Sequence, residues 1–187
     1  MGAGCNGIEI VNIVTSGTLG QRINLSHLSQ SLPDLFSYDV EIYHGGYLKL
    51  SKYTATLYST GKYIISGVKS INDIQTNYEE MKVLLNEFID TSLVQMAEIK
   101  NLVACSSVGH DINLSLLFMD LVASTDYEIS YEPEVFPGMS VKTPIGTSNI
   151  YRNGKYILLG TTNIESLRDL NLQIHDLIEC QSAYRRG

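Results

Sequence analysis

Apolar and polar positions along this chain follow one order twice. Ile10, Val11, Asn12, Ile13 and Val14 set apolar residues around a single polar one, a strand-like opening. Asn24 then precedes leucines at helical spacing and predicts an N-cap, because its short side chain can take a backbone N–H that the first helical turn leaves unpaired. The stretch beyond is rich in Tyr, Thr, Ile and Val between short turn signals, which predicts several strands. Ile71, Ile74, Tyr78, Met81, Leu85 and Phe88 recur every three or four residues and predict a closing helix. The same order returns with a strand at Ile99, a cap at Asn113, a strand-rich middle, and Ile164, Leu167, Leu170, Ile174 and Leu177 on a last helix.

The two passages align residue by residue. Asn12 falls on Asn101, Val14 on Val103, Gly20 on Gly109 and Ile23-Asn24-Leu25 on Ile112-Asn113-Leu114, an offset of 89. Farther on the offset becomes 93, so that Tyr38 meets Tyr131, Tyr43 meets Phe136, Gly45 meets Gly138, Tyr58 meets Tyr151 and Gly61-Lys62-Tyr63-Ile64 meets Gly154-Lys155-Tyr156-Ile157. Two copies are too few for a solenoid and predict a pseudosymmetric protein. The expected organisation is a flexible leader over residues 1–7, a first repeat over 8–96 and a second over 97–187. Helices that cover one sheet face leave the other open, and an antiparallel sheet tolerates that arrangement.

Strand parity then sorts the side chains. Ala55, Leu57, Tyr63 and Ile65 share one face in the first repeat, as Ile150, Tyr156 and Leu158 do in the second, and these predict the helix-packed side. Thr56, Tyr58, Ile64 and Ser66, with Asn149, Tyr151, Ile157 and Leu159, take the opposite face together with Asn12, Val14, Asn101 and Val103. That surface mixes amides, β-branched residues and aromatics. It is too apolar to stand idle in water, so it predicts a binding face; taken singly, the same residues also fit a core beneath a further layer.

Charge refines the picture. The net charge of −7 argues at first against nucleic acid, whose affinity for proteins comes largely from basic residues on phosphates. Yet residues 45–69 hold Lys49, Lys52, Lys62 and Lys69, and residues 137–163 hold Lys142, Arg152 and Lys155, without one Asp or Glu in either segment. This separation predicts a basic surface and an acidic one, with chance clustering of solvated lysines as the alternative. Cys5, Cys105 and Cys180 are odd in number and far apart, which suits a reducing compartment, and Cys105 reads as a packed small residue. The cysteines and histidines lack the spacing of a metal site or a catalytic group, so no cofactor, metal or small-molecule substrate is expected. The run Gly2-Ala3-Gly4-Cys5-Asn6-Gly7 spells a dinucleotide fingerprint but precedes a strand where that motif must follow one. The start also lacks a basic and an apolar signal region, Asn6 spoils a myristoylation pattern, and no apolar run is long enough to cross a membrane, so neither secretion nor a membrane partner is expected.

YEPEVFPG at Tyr131–Gly138, NGKYILLG after it and KNLVACSSV before it resemble the TATA-box-binding proteins of archaea and eukaryotes, over roughly residues 8–180. The resemblance implies an α+β saddle of two pseudosymmetric repeats, each a curved antiparallel sheet with two helices on its convex face. It implies a general transcription initiation factor, not an enzyme, that binds and bends double-stranded A·T-rich DNA through the minor groove and recruits a B-type initiation factor and RNA polymerase. Location would be the cytoplasm or nucleoid of an archaeal cell, or a eukaryotic nucleus. By position, Asn12 and Asn101 would bond the base acceptors, and Val14, Val103, Ile64 and Ile157 would touch the groove floor with Thr56, Ser66, Asn149 and Leu159 around them. Tyr43, Tyr58, Phe136 and Tyr151 would be wedges between base steps, Lys62, Lys69 and Lys155 would meet phosphates, and Glu132 and Glu134 would receive the B-type factor.

The chain departs from the family at chosen places. Tyr stands at three of four wedge positions where the family has Phe, which leaves Phe136 the only purely apolar wedge. Thr56 and Asn149 replace leucines, and Leu159 replaces a threonine. A phenol buried between bases costs free energy unless its hydroxyl finds a partner. These changes keep open a second reading, a divergent paralogue that acts as a protein-interaction module with weak or altered DNA binding.

Overall fold

The computed structural model describes residues 7–183, so the leader expected over residues 1–7 lies outside the described residues except for Gly7, and Cys5 with it. The chain divides into two compact units, one of Asn12–Lys100 and the other built on Asn101 onward together with strand residues up to Val11.

The first half runs β1 (Glu9–Thr18), α1 (Leu25–Ser31), β2 (Phe36–Ser37), β3 (Gly45–Lys49), β4 (Thr54–Tyr58), β5 (Lys62–Val68) and α2 (Asn72–Leu85). Its strands lie in the order β2-β3-β4-β5-β1, all antiparallel. The second half repeats this as β6 (Glu98–Ser107), α3 (Leu114–Ser124), β7 (Glu128–Ser130), β8 (Met139–Lys142), β9 (Thr147–Ile150), β10 (Lys155–Thr161) and α4 (Ile164–Ala183), with sheet order β6-β10-β9-β8-β7. Both predicted caps form: Asn24 Oδ1 accepts the His27 N–H at 3.0 Å, and Asn113 Oδ1 accepts the Leu116 N–H at 3.2 Å.

Each core lies on the parity the strands predict. Ala55, Leu57, Tyr63 and Ile65 are buried in the first half, and Ile150, Tyr156 and Leu158 in the second. From α2, Ile74, Tyr78, Met81 and Leu85 join the first core, while Leu167, Leu170, Ile174 and Ile178 of α4 join the second. The helical stripe differs from expectation at its ends. Ile71 precedes α2 and is exposed, and the Leu85 carbonyl accepts the N–H of both Phe88 and Ile89, so the helix tightens and stops, and Ile89 is buried in place of Phe88. Leu177 is half-buried because Ile178, one turn beyond Ile174, takes the inward position.

The two cores are unequal. Ala55, Val68, Leu50 and Tyr78 in the first half correspond to Ser148, Thr161, Thr143 and Asn171 in the second, all eight buried. Asn171 accepts the Tyr156 hydroxyl at 3.0 Å and Thr143 donates to the Gly146 carbonyl, but the hydroxyls of Ser148 and Thr161 have no hydrogen-bond partner. Apolar side chains stand at those two places in the first half, so the second core carries a desolvation cost that the first avoids.

Candidate nucleic-acid interface

The open face of each half starts from a bulge. Ile13 pairs with Val68 and Thr15 with Ile65, so one extra residue enters β5 at Ser66-Gly67. Thr161 pairs with Leu102 and Leu158 with Ala104, which places the same bulge at Leu159-Gly160. Gly67 and Gly160 sit at φ of 82° and 91°, a region that costs an L side chain about 1 kcal/mol or more and suits glycine. A bulge turns one backbone N–H out of the ladder. Asn12 Oδ1 accepts that N–H from Gly67 at 2.8 Å, and Asn101 Oδ1 accepts it from Gly160 at 2.9 Å.

This contact fixes both amides. With the carbonyl oxygen accepting from the bulge, the Nδ2 group is the end of each half-buried amide left for a partner, and it can only donate. Minor-groove edges of A·T pairs offer only acceptors, adenine N3 and thymine O2, whereas G·C adds the guanine amino donor. Two such donors fit the first pattern. Val14 and Ile64, and Val103 and Ile157, stand half-buried beside them on the same faces.

Farther out on each face stands an aromatic pair. Phe136 and Tyr151 lie with ring centroids 6.0 Å apart at 64°, and Tyr43 and Tyr58 at 6.2 Å and 64°. Close approach is allowed by a glycine beneath each pair: a Cβ on Gly138 would meet Phe136 at 2.8 Å, and one on Gly45 would meet Tyr43 at 2.9 Å. Phe136 and Tyr43 remain 38% and 39% exposed, so both are large rings presented to solvent. In the first half the two phenols bond each other at 2.6 Å, and Tyr47 stacks on Tyr43 at 5.8 Å and 9°. The bond to Tyr43, and then burial, push the Tyr58 phenol from 10.0 up to about 12. Two of the three hydroxyls that depart from the family pattern, those of Tyr43 and Tyr58, thus satisfy one another.

The remaining residues fall as follows. Thr56 lies between Tyr47 and Ile64, and Asn149 between Ser140 and Ile157. Ser66 and Leu159 occupy the bulges next to their glycines. Lys62, Lys69 and Lys155 are exposed, and Lys62 and Lys155 share parity with Ile64 and Ile157. The charge separation is weaker than the sequence predicts, because Lys52 pairs with Asp73 at 3.5 Å and Lys142 with Glu128 at 2.9 Å, carboxylates supplied from outside the basic segments. Cys105 is half-buried and pairs across to Ile157, so this small residue shares the open face with Val103. Tyr47 and Ser140, absent from the expected site, also lie there, and strand parity carried one strand farther would have reached them.

Glu132 and Glu134 are exposed on the loop before β8. The Glu132 carbonyl accepts the N–H of Val135 and Phe136, both at 2.9 Å, and Tyr131 rests 6.2 Å from the Phe118 ring of α3. An open cleft of about 710 Å³ lies beside the loop, lined by Tyr131, Pro133, Pro137, Asp111 and Arg152.

The family model for transcription factor TFIID, or TATA-binding protein (TBP), matches residues 7–88 and 96–180. The chain belongs to the TATA-binding protein family. Its two matched segments are the two halves of the internal repeat. The chain is 30% identical to the TATA-box-binding protein of Archaeoglobus fulgidus over 86% of its length and 88% of the relative's. It is 31% identical to TATA-box-binding protein C of Halobacterium salinarum, over 85% and 90%. Among solved structures, Methanococcus jannaschii TBP matches with a TM-score of 0.75 at 27% identity, covering 92% of this chain and 98% of that one. The fold is therefore that of the TATA-binding proteins, a family of transcription factors. Among the described residues, no helix is long and apolar enough to cross a membrane.

Proposed function

We propose that this protein is a general transcription initiation factor that binds A·T-rich promoter DNA through the minor groove and bends it. The observation that carries the reading is the pair of amides, Asn12 and Asn101, each with its carbonyl oxygen engaged by a bulge N–H, which leaves the Nδ2 donors for a partner. Val14, Ile64, Val103 and Ile157 take the groove floor, and Lys62, Lys69 and Lys155 meet phosphates. The rings of Tyr43, Tyr58, Phe136 and Tyr151 enter base steps, where unstacking is offset by the surface that bent DNA brings into contact. In this reading the chain has no catalytic role and works where the chromosome is, in the cytoplasm or nucleoid of an archaeal cell.

The loop at Glu132 and Glu134 takes a B-type initiation factor, which brings RNA polymerase. Proline on either side of Val135 and Phe136 restricts the loop, so docking costs it less entropy. Changing Glu132 and Glu134 to Arg is expected to abolish the ternary complex with the B-type factor in a gel shift while the complex with DNA alone persists. A ternary complex that survives would place the docking site elsewhere.

The deciding experiment is a titration of A·T-rich and G·C-rich duplexes at several salt concentrations, with dyes at the DNA ends reporting bending by energy transfer. Tighter, salt-sensitive binding to the A·T duplex with a bend is expected. Equal weak binding without a bend would favour the second reading, a protein-interaction module, which draws support from polar Thr56 and Asn149 and from three Tyr wedges.

A further inference from the structure

Asn149 differs from the other two face asparagines in how its amide is held. Asn12 and Asn101 spend their carbonyl oxygen on Gly67 and Gly160. Asn149 sits mid-strand in β9, half-buried on the open face, between Ser140 on β8 and Ile157 on β10. Among the described residues its amide has no hydrogen-bond partner. Both ends of that amide are therefore available, and the oxygen can turn outward as an acceptor.

An outward acceptor changes what this face can read. The guanine amino group is the one donor in the minor groove, and it projects from the groove floor. An apolar side chain at this place would desolvate that amino group with nothing to receive it, which penalises G·C. An amide oxygen receives it. Its neighbour Ile157 is apolar and limits competition from water, which raises the selectivity of a hydrogen bond made beside it. The corresponding position in the first half is Thr56, whose shorter hydroxyl side chain reaches less far.

Resting on the minor-groove reading above, we propose that Asn149 is a specificity-determining residue that accepts a guanine amino group. The preferred DNA site then has one G·C pair within its A·T tract, on the side taken by the second half.

The test uses the whole protein and a series of A·T duplexes in which one pair at a time is replaced by G·C, and then by inosine·C, which removes only the amino group. At one position the protein is expected to bind the G·C duplex about tenfold more tightly than its inosine counterpart, the size of one good polar base contact. In Asn149→Leu this ratio falls to one or below. In Asn101→Leu both duplexes weaken together and the ratio stays. A G·C to inosine·C ratio of one or less at every position in the unaltered protein would overturn the proposal, and that comparison needs no variant to fold. A ratio in Asn149→Leu equal to that of the unaltered protein would overturn it too. If the unaltered protein binds neither the parent A·T duplex nor any other, the minor-groove reading itself fails; a firm, bent complex with the A·T duplex and no gain from the amino group sinks the Asn149 assignment alone.

Discussion

At the scale of single residues, the Asn–Gly contact separates two roles that one side chain carries. Replacing Asn101 by Asp keeps an oxygen for the Gly160 N–H but exchanges the Nδ2 donors for a second, charged acceptor. Affinity for an A·T duplex is then expected to fall at least about tenfold, the loss of a polar base contact with added repulsion, while the thermal midpoint stays close to that of the parent. Anisotropy and melting curves check the two halves of that statement. The phenol pair makes a different prediction. Tyr58 ionises to an anion, and its raised value means the folded protein favours the neutral form; that contribution is whole below the ordinary 10.0 and is lost as pH rises through about 12. The phenolate absorbance of Tyr58 should appear late in an alkaline titration and move back toward the ordinary value in Tyr43→Phe, which removes the hydrogen bond between the two phenols. Because each phenol is the other's partner, Tyr43→Phe alone orphans the Tyr58 hydroxyl. The double replacement by Phe is therefore the variant expected to hold DNA more tightly.

At the scale of elements, parity reads strands well and reads interruptions poorly. Thr56, Ile64, Asn149 and Ile157 fall on the open face as the alternation predicts, since a side-chain period of two needs no knowledge of the partner strand. The bulges at Ser66-Gly67 and Leu159-Gly160 depend on two-against-one pairing with β1 and β6, which a single strand's pattern does not contain. Strand β3 hid Tyr47 for another reason. Its inward position at Gly46 is filled by the Phe36 ring of β2, so the alternation is legible only from Tyr47 onward, where Leu48 and Leu50 turn inward and Lys49 outward. The unequal cores give this scale its prediction. Thr161→Val and Ser148→Ala each replace an unpartnered buried hydroxyl with the residue type found in the first half, and each is expected to stabilise the protein by about 1 kcal/mol. Chemical denaturation measures it as a higher midpoint at unchanged slope.

At the scale of the whole molecule, a chain of net charge −7 must approach a polyanion with few free cations. Lys52 and Lys142 are held by Asp73 and Glu128, which leaves Lys49, Lys62, Lys69, Arg152 and Lys155 of the two basic segments without an ion pair among the described residues. If all five neutralise phosphates, the logarithm of the binding constant should fall with the logarithm of salt concentration at a slope of roughly −4 to −5. Lys155→Ala should flatten that slope by about one, and Lys142→Ala should change it less, because exposed Lys142 already faces a carboxylate. The repeat and the YEPEVFPG segment made the family legible from the chain alone. The distribution of free charge was not legible, since it depends on which carboxylates the fold brings back to the lysines.

The tyrosine cluster also gives the protein an optical identity. The sequence has 12 Tyr and no Trp, so its near-ultraviolet absorption and emission come almost wholly from phenols, with no indole to drain the excitation. Tyr43, Tyr47 and Tyr58 are gathered at one end of the first half's open face, two of them stacked and two sharing a hydrogen bond. Base steps that received these rings would quench them by contact and break up their mutual coupling. Native tyrosine fluorescence, without a dye on either molecule, should therefore fall when the first half engages DNA and respond far less to events at Phe136.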